Sequence, residues 1–295
     1  METLKHEIAE QLLTATGHRP QIVALSPIGG GDINRCYRVD TNEQVFFVKI
    51  NSASLADLFI GEAAALEELG QCAALQTPQV IAVGSNQNRA FLIMSFLELK
   101  VLDESGAARL GEGLAELHHI SATRFGWKHD NTIGTTPQLN SPMDNWAEFF
   151  RQNRLIPQFE RAVSNGLSNQ FQDLCDLLLA GLHEFFFDYT PVPSLLHGDL
   201  WAGNAAVDTR GRPVIYDPAL YYGDREADIA MTELFGGFPP AFHEAYNGAW
   251  PLDSGYPDRR TLYNLYHVMN HFNLFGGGYA TQAMAMLRQL TSRID

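Results

Sequence analysis

Residues 197–217 constrain this chain more than any other stretch. His197-Gly198-Asp199-Leu200-Trp201-Ala202-Gly203-Asn204 is a polar loop punctuated by glycine. It leads into the apolar run Ala205-Ala206-Val207, the turn chemistry of Asp208-Thr209-Arg210-Gly211-Arg212, and a second apolar run, Pro213-Val214-Ile215-Tyr216, which ends at Asp217. Two apolar runs joined by a polar, Gly-containing segment read as a β-hairpin. Asn204 enters one strand and Asp217 leaves the other, so an amide and a carboxylate lie at the same end of the hairpin.

That order and spacing carry chemistry. In a kinase catalytic loop an Asp accepts the proton of the substrate hydroxyl, and an Asn five positions later holds a metal ion. Asp199 and Asn204 have this separation. Asp199 is the candidate base, Asn204 and Asp217 are the candidate Mg²⁺ ligands, and phosphoryl transfer is the implied reaction. A His-Gly-Asp triplet alone is weak, because an Asp before a turn usually caps it. The loop spacing, the hairpin length and the terminal Asp carry the reading together.

The first hundred residues supply a matching nucleotide half. Gly29-Gly30-Gly31-Asp32-Ile33-Asn34 links two strand-like runs. Consecutive glycines let backbone N–H groups close on phosphate oxygens where a Cβ would obstruct them. Gly-rich hairpins are common, and the segment matches neither a Walker A motif nor the G-x-G-x-x-G spacing. Lys49 follows in Phe46-Phe47-Val48-Lys49-Ile50, and a Lys amid apolar neighbours requires a charged partner. Glu62 is that partner. It shares a helical stripe with Leu55, Leu58, Phe59, Leu66 and Leu69, whereas Glu67 and Glu68 fall on the opposite face. A Lys–Glu pair of this kind grips the α- and β-phosphates of ATP. The apolar run 91–97 ends this half, and main-chain groups of Ser95, Phe96 and Leu97 are candidates for adenine binding.

The periodicities give an α+β layout in two lobes. A short helix over 1–16 precedes strands at 21–27, 36–41 and 44–50, a helix carrying Glu62, and strands near 79–84 and 90–96. Beyond Leu99 the chain reads as helical, interrupted only by the hairpin. The expected division is a nucleotide-binding lobe over 1–97 and a catalytic, substrate-binding lobe over 98–295.

Composition narrows the partners. A formal net charge of −14 disfavours nucleic acid and anionic membrane surfaces and suits a cationic or neutral substrate. No run approaches the roughly 18 apolar residues that span a bilayer, and the polar N-terminus lacks the look of a secretory signal. The three cysteines, Cys36, Cys72 and Cys175, are dispersed, which suggests free thiols and a cytoplasmic location. His267 and His271 stand at zinc-like i, i+4 spacing without a third ligand nearby, so they read as satisfied, partly buried histidines. His118 and His119 end a helix, where a cation suits the dipole. His197 reads as a group that orients the catalytic loop, and Asp228 as an acceptor for that loop's N–H groups.

With these pieces in order the chain resembles the fructosamine kinase (ketosamine 3-kinase) family, a branch of the protein-kinase-like fold beside aminoglycoside phosphotransferases and choline kinases. The resemblance rests on Gly-Gly-Gly-Asp-Ile-Asn at 29–34, Val48-Lys49, Glu62-Ala63 and Leu114-Ala115-Glu116-Leu117-His118. It rests most on His-Gly-Asp-Leu-Trp-x-Gly-Asn at 197–204, where the Trp separates this family from aminoglycoside kinases. Asp217-Pro218-Ala219, Gly223 to Asp228, and the tail from Leu262 to Tyr279 extend it over nearly the whole chain. The resemblance implies ATP and Mg²⁺ as cofactors, Lys49 on the phosphates, Asp199 as base, and the 3-hydroxyl of a free or protein-bound ketoamine as acceptor. Trp201 is the candidate platform for the sugar ring or amine. Asp217 is followed by Pro-Ala rather than Phe-Gly, and little chain separates it from Asp228, so constitutive activity is expected. The alternatives are a kinase of another hydroxylated amine, of the aminoglycoside or choline type, and a catalytically silent nucleotide-binding regulator. Retention of Lys49, Glu62, Asp199, Asn204 and Asp217 together weighs against the last.

Overall fold

Helix α1 (Glu2–Thr16) buries Ile8 and Leu12 and stops at Gly17, whose left-handed backbone (φ 73°) lets its N–H cap the Leu13 carbonyl. Strands β1 (Ile22–Ile28), β2 (Arg35–Thr41) and β3 (Val45–Ser52) follow, then α2 (Ala56–Leu69), β4 (Val80–Ser85) and β5 (Arg89–Ser95). The five strands form one antiparallel sheet in the order β1-β2-β3-β5-β4. This is a computed structural model describing residues 1–29 and 33–294. Gly30, Gly31 and Asp32 of the glycine-rich segment lie outside the described residues.

Alternation along β3 sets the geometry of this half. Phe46, Val48 and Ile50 face α1 and join Ile8, Leu12 and Phe91 in one core. Phe47 and Lys49 point to the other face, where α2 packs Phe59, Ala63 and Leu66 against Leu92 and Met94. The two-residue period of the strand and the 3.6-residue period of the helix thus bring Lys49 and Glu62 together.

The remaining elements are β6 (Leu99–Lys100), α3 (Glu104–His119), β7 (Asn131–Ile133), β8 (Thr136–Gln138), α4 (Trp146–Phe150), α5 (Ile156–Ser164), α6 (Asn169–Gly181), β9 (Ser194–Leu196), β10 (Ala205–Asp208), β11 (Pro213–Ile215), β12 (Tyr221–Gly223), α7 (Glu226–Leu234), α8 (Pro240–Ala249), α9 (Tyr256–Phe275) and α10 (Tyr279–Thr291). Asp103 caps α3 by accepting the Gly106 N–H at 2.6 Å. Gly111 lets α3 press against α8, since a Cβ there would enter the α8 backbone at Phe242. The expected hairpin is present as β10 and β11, in register from Ala205↔Ile215 to Val207↔Pro213. Strand β6 pairs with β10, and Gln76, in the link after α2, bridges Val214.

The hairpin does not interrupt the helices alone. Strands β7 and β8 pair with each other, and β9 pairs with β12. Each is three residues long, too short to display the alternation by which strands are recognised.

Candidate active site

A cleft of about 1120 Å³ separates the β-sheet half from the helical half. It exceeds the roughly 300–1,000 Å³ of a site for one drug-sized ligand. Gly29, Lys49, Glu62, Ser95, Leu97, Asp199, Trp201, Asn204 and Asp217 all line it.

Lys49 is the centre of the β-sheet side of the cleft. Its Nζ lies 2.6 Å from Glu62 Oε1 and 2.6 Å from Asp217 Oδ1. Burial works against the ammonium, but the two carboxylates outweigh it and hold the pKa above the ordinary lysine value. Asn51 Nδ2 donates to the Ile33 carbonyl and to Asn34 Oδ1, which ties the end of the glycine-rich segment to β3. At the junction the three candidate adenine-binding residues differ in what they offer the cleft. Ser95 and Leu97 reach the cleft but Phe96 does not, because its ring lies beneath the Arg38 guanidinium at 4.7 Å. The Ser95 and Phe96 N–H groups are already donated to Gln79 and Val45 carbonyls. Among the described residues the Leu97 N–H is the free donor of the three.

The loop between β9 and β10 is held by its backbone. Asp228, on α7, accepts the His197 N–H at 2.7 Å and the Gly198 N–H at 2.8 Å. Gly198 adopts φ 83°, and a Cβ there would run into the Ala219 carbonyl. His197 donates from Nε2 to the Tyr216 carbonyl at 2.9 Å, and its Nδ1 accepts the Asp199 N–H. Burial lowers the pKa of this imidazole, so it stays neutral in that tautomer. His118 departs from the expectation of a helix-end cation. It is buried between Asp228 and Tyr246, and desolvation lowers its pKa as well.

Asp199 is half-buried, and its pKa is pushed up to about 7 by burial and then by repulsion from Asp217 and Asp228. Asn204 Nδ2 donates to the Asp199 carbonyl at 2.9 Å, while among the described residues its Oδ1 accepts no hydrogen bond. Asp217 takes a left-handed backbone, φ 57°, and its side chain is 43% exposed. A free amide oxygen and an accessible carboxylate, converging on one cleft wall, are the hard oxygen donors that Mg²⁺ prefers. The residues present therefore fit that ion.

Trp201 is 42% exposed, and its indole lies over Gly203, where any Cβ would strike the ring. The same side of the cleft holds four residues that sequence reasoning missed as site residues. His271 packs at tilted angles near Phe235 (4.9 Å), Tyr279 (5.1 Å) and Phe275 (5.8 Å), and all four line the cleft. His271 Nδ1 donates to the His267 carbonyl at 2.8 Å, which leaves Nε2 as an acceptor. His267 is buried, its Nδ1 has no partner among the described residues and is not satisfied as expected, and burial drives its pKa down to about 3.

The fructosamine kinase family profile matches residues 4–293. A Synechocystis protein named a probable ketoamine kinase is 43% identical over 96% of this chain and 95% of its own length. A crystal structure from Haemophilus somnus, provisionally named a fructosamine-3-kinase, superposes with a TM-score of 0.88 at 29% identity, over 96% of each chain. The choline kinase of Streptococcus pneumoniae shares the two-lobed, protein-kinase-like fold alone, with a TM-score of 0.67 at 13% identity over 97% of this chain and 98% of its own. A match that runs from the first helix to the last, through the Lys49, Asp199 and Asp217 segments alike, leaves one assignment: the chain belongs to the fructosamine kinase family.

Proposed function

We propose that this protein transfers the γ-phosphoryl group of ATP to the 3-hydroxyl of a ketoamine, of the fructosamine or ribulosamine type, free or protein-bound. The observation that carries the reading is Lys49 Nζ held at 2.6 Å by both Glu62 and Asp217, in a cleft that also contains Asp199 and Asn204. Residues 1–97 form the nucleotide lobe in this reading and 98–295 the acceptor lobe. Lys49 binds the α- and β-phosphates, Gly29 lines the cleft that takes them, and the Leu97 N–H meets adenine.

Asn204 and Asp217 would hold Mg²⁺, which when bound neutralises charge on the β- and γ-phosphates. Asp199 orients the acceptor hydroxyl and takes its proton as the oxygen attacks the γ-phosphorus. The bond from that phosphorus to the β-phosphate oxygen breaks, and its electron pair leaves with ADP. A carboxylate with its pKa near 7 is a stronger base than an ordinary Asp, close to the match of pKa and operating pH that proton transfer favours. On the acceptor side Trp201 and the His271 cluster present aromatic faces and one neutral acceptor nitrogen, which suits a sugar joined to a protonated secondary amine. Free Cys36, Cys72 and Cys175 agree with a cytoplasmic setting, and among the described residues no helix is long and apolar enough to cross a membrane.

A phosphoproduct assay with ATP tests the proposal on fructoselysine, ribuloselysine, an aminoglycoside and choline. Turnover of the ketoamines at kcat/KM well above the other two is expected. Preference for the aminoglycoside or choline would move the acceptor assignment, and no turnover of any would remove the kinase reading.

A further inference from the structure

Helix α2 carries Glu62 toward the cleft and leaves Asp57, Ile60 and Glu67 exposed, yet a further acidic side chain of the helix is docked. Glu68, in the last turn, has a side chain only 12% exposed. Its Oε1 accepts the Tyr222 hydroxyl at 3.0 Å, and its Oε2 accepts Trp127 Nε1 at 2.9 Å and Lys128 Nζ at 3.0 Å. All three donors come from the helical half, so one carboxylate of the nucleotide half is gripped directly by the other half. Burial opposes the charge, but these donors hold the Glu68 pKa below the usual carboxylate range.

The donors are themselves fixed. Tyr222, on β12, exchanges two main-chain hydrogen bonds of 2.8 Å with Gly126, beside Trp127. Near the middle of α2, Gly61 rests against Asn131, whose Nδ2 donates to the Leu220 carbonyl at 2.8 Å. Asn131 and Tyr222 therefore join α2, at two places, to the short segment that begins at Asp217. Glu62 and Asp217, the two carboxylates that hold Lys49, sit on the two elements so joined.

We propose that Glu68 is a positioning residue for phosphoryl transfer. Its carboxylate latches α2 to the 217–222 segment and so keeps Lys49 between Glu62 and Asp217. This rests on the assignment of Lys49 to the phosphates made above. An error of about 1 Å at a reacting group costs on the order of 10²-fold in rate, and the latch removes the helix displacement that would produce it. Binding-ready geometry then needs no separate activating event.

The test uses the full chain and three variants: Glu68→Ala, Lys49→Ala and the double substitution. Glu68→Ala should lower kcat/KM for ATP by about 10- to 100-fold, while KM for the acceptor changes less than two-fold. In the Lys49→Ala background the same substitution should have little effect, because its influence passes through Lys49. Glu68→Gln, which retains an acceptor oxygen, should recover part of the loss. Equal losses in both backgrounds, or a Glu68→Ala enzyme within two-fold of wild type, would overturn the proposal and leave Glu68 as a folding contact. Should Glu68→Ala not fold, Tyr222→Phe and Trp127→Phe remove the donors singly and are read by the same cycle. Calorimetric affinity for ATP, measured on every variant, reports the latch even if wild type phosphorylates no ketoamine. Only the function reading would fail in that case.

Discussion

Asp199→Asn should make the protein more stable as it makes the enzyme inactive. The folded chain raises the Asp199 pKa to about 7, against about 3.9 in an unfolded chain. At about 1.4 kcal/mol per pKa unit, a gap near three units caps the cost of the ionised carboxylate at about 4 kcal/mol. The folded pKa is the higher one, so the folded state binds the proton more tightly. The cost is absent below about pH 4, grows as pH rises between the two values, and is complete above about pH 7. Asparagine keeps the size and an acceptor oxygen but never ionises. Differential scanning calorimetry at pH 8, without nucleotide or divalent cation, should show Tm higher by several degrees, at most about 10 °C. The advantage should shrink at pH 5. Added Mg²⁺ and nucleotide should shrink it too, since a cation at Asp217 relieves part of the repulsion felt by Asp199. In the same variant kcat should fall by about 10² to 10⁴ with ATP affinity nearly intact. A Tm at pH 8 equal to or below wild type, or a difference that ignores pH, would refute the electrostatic account. Turnover within a few-fold of wild type would refute Asp199 as base.

Three further outcomes follow from the same geometry. In wild type, kcat/KM should rise with pH through the neutral region, because the base works only when ionised; a flat profile from pH 6 to 8 would count against Asp199 as proton acceptor. Asp217→Ala removes the anionic oxygen beside Asn204 and one of the two partners of Lys49, so Mg²⁺-dependent nucleotide binding should be lost; unchanged Mg·ATP affinity by calorimetry would mean the cation sits elsewhere. Trp201→Leu should raise KM for a ketoamine several-fold, corresponding to about 0.5–2 kcal/mol of aromatic contact, with little change in KM for ATP or in Tm, because the ring is 42% exposed; a sharp fall in Tm with both KM values moving would make it a packing residue.

Local periodicity made much of this architecture legible. Alternation in β3 and the helical stripe of α2 are each contained in one element, so the meeting of Lys49 and Glu62 follows from sequence. The β10–β11 hairpin is equally local, and it carries Asn204 to the mouth of the same cleft as Asp199. What escaped depends on contacts between distant segments. Glu68 is 59 residues from Trp127 and 154 from Tyr222, and nothing in α2 marks its outer face as a docking face. The sequence does not mark Phe235, His271, Phe275 and Tyr279 as neighbours; the end of α7, α9 and the start of α10 bring them to one wall. His118 looked like a helix-end charge because the helix end is visible in sequence, whereas the α8 tyrosine that buries it is not. One signal was available in retrospect: Phe, His and Tyr crowd residues 271–279 more densely than a single helix face needs for packing.

The raised pKa of Asp199, due first to burial, and the hold on its loop share one contributor. Asp228 holds the loop through the His197 and Gly198 N–H groups, and its own charge is one of the two that repel Asp199. A neutral brace would hold the loop without strengthening the base. Asp228 remains ionised because burial, which opposes its charge, is outweighed by the hydrogen bond from His118 and by the loop amides. His118 is fixed in turn by Tyr246, and Tyr246 accepts from Arg225, whose guanidinium also donates to the Trp250 and Pro251 carbonyls. The chain of donors runs in one direction, from a buried arginine through a phenol and an imidazole to the carboxylate beneath the catalytic loop. Arg225 thus stands at the head of a chain that ends on one of the two charges repelling Asp199.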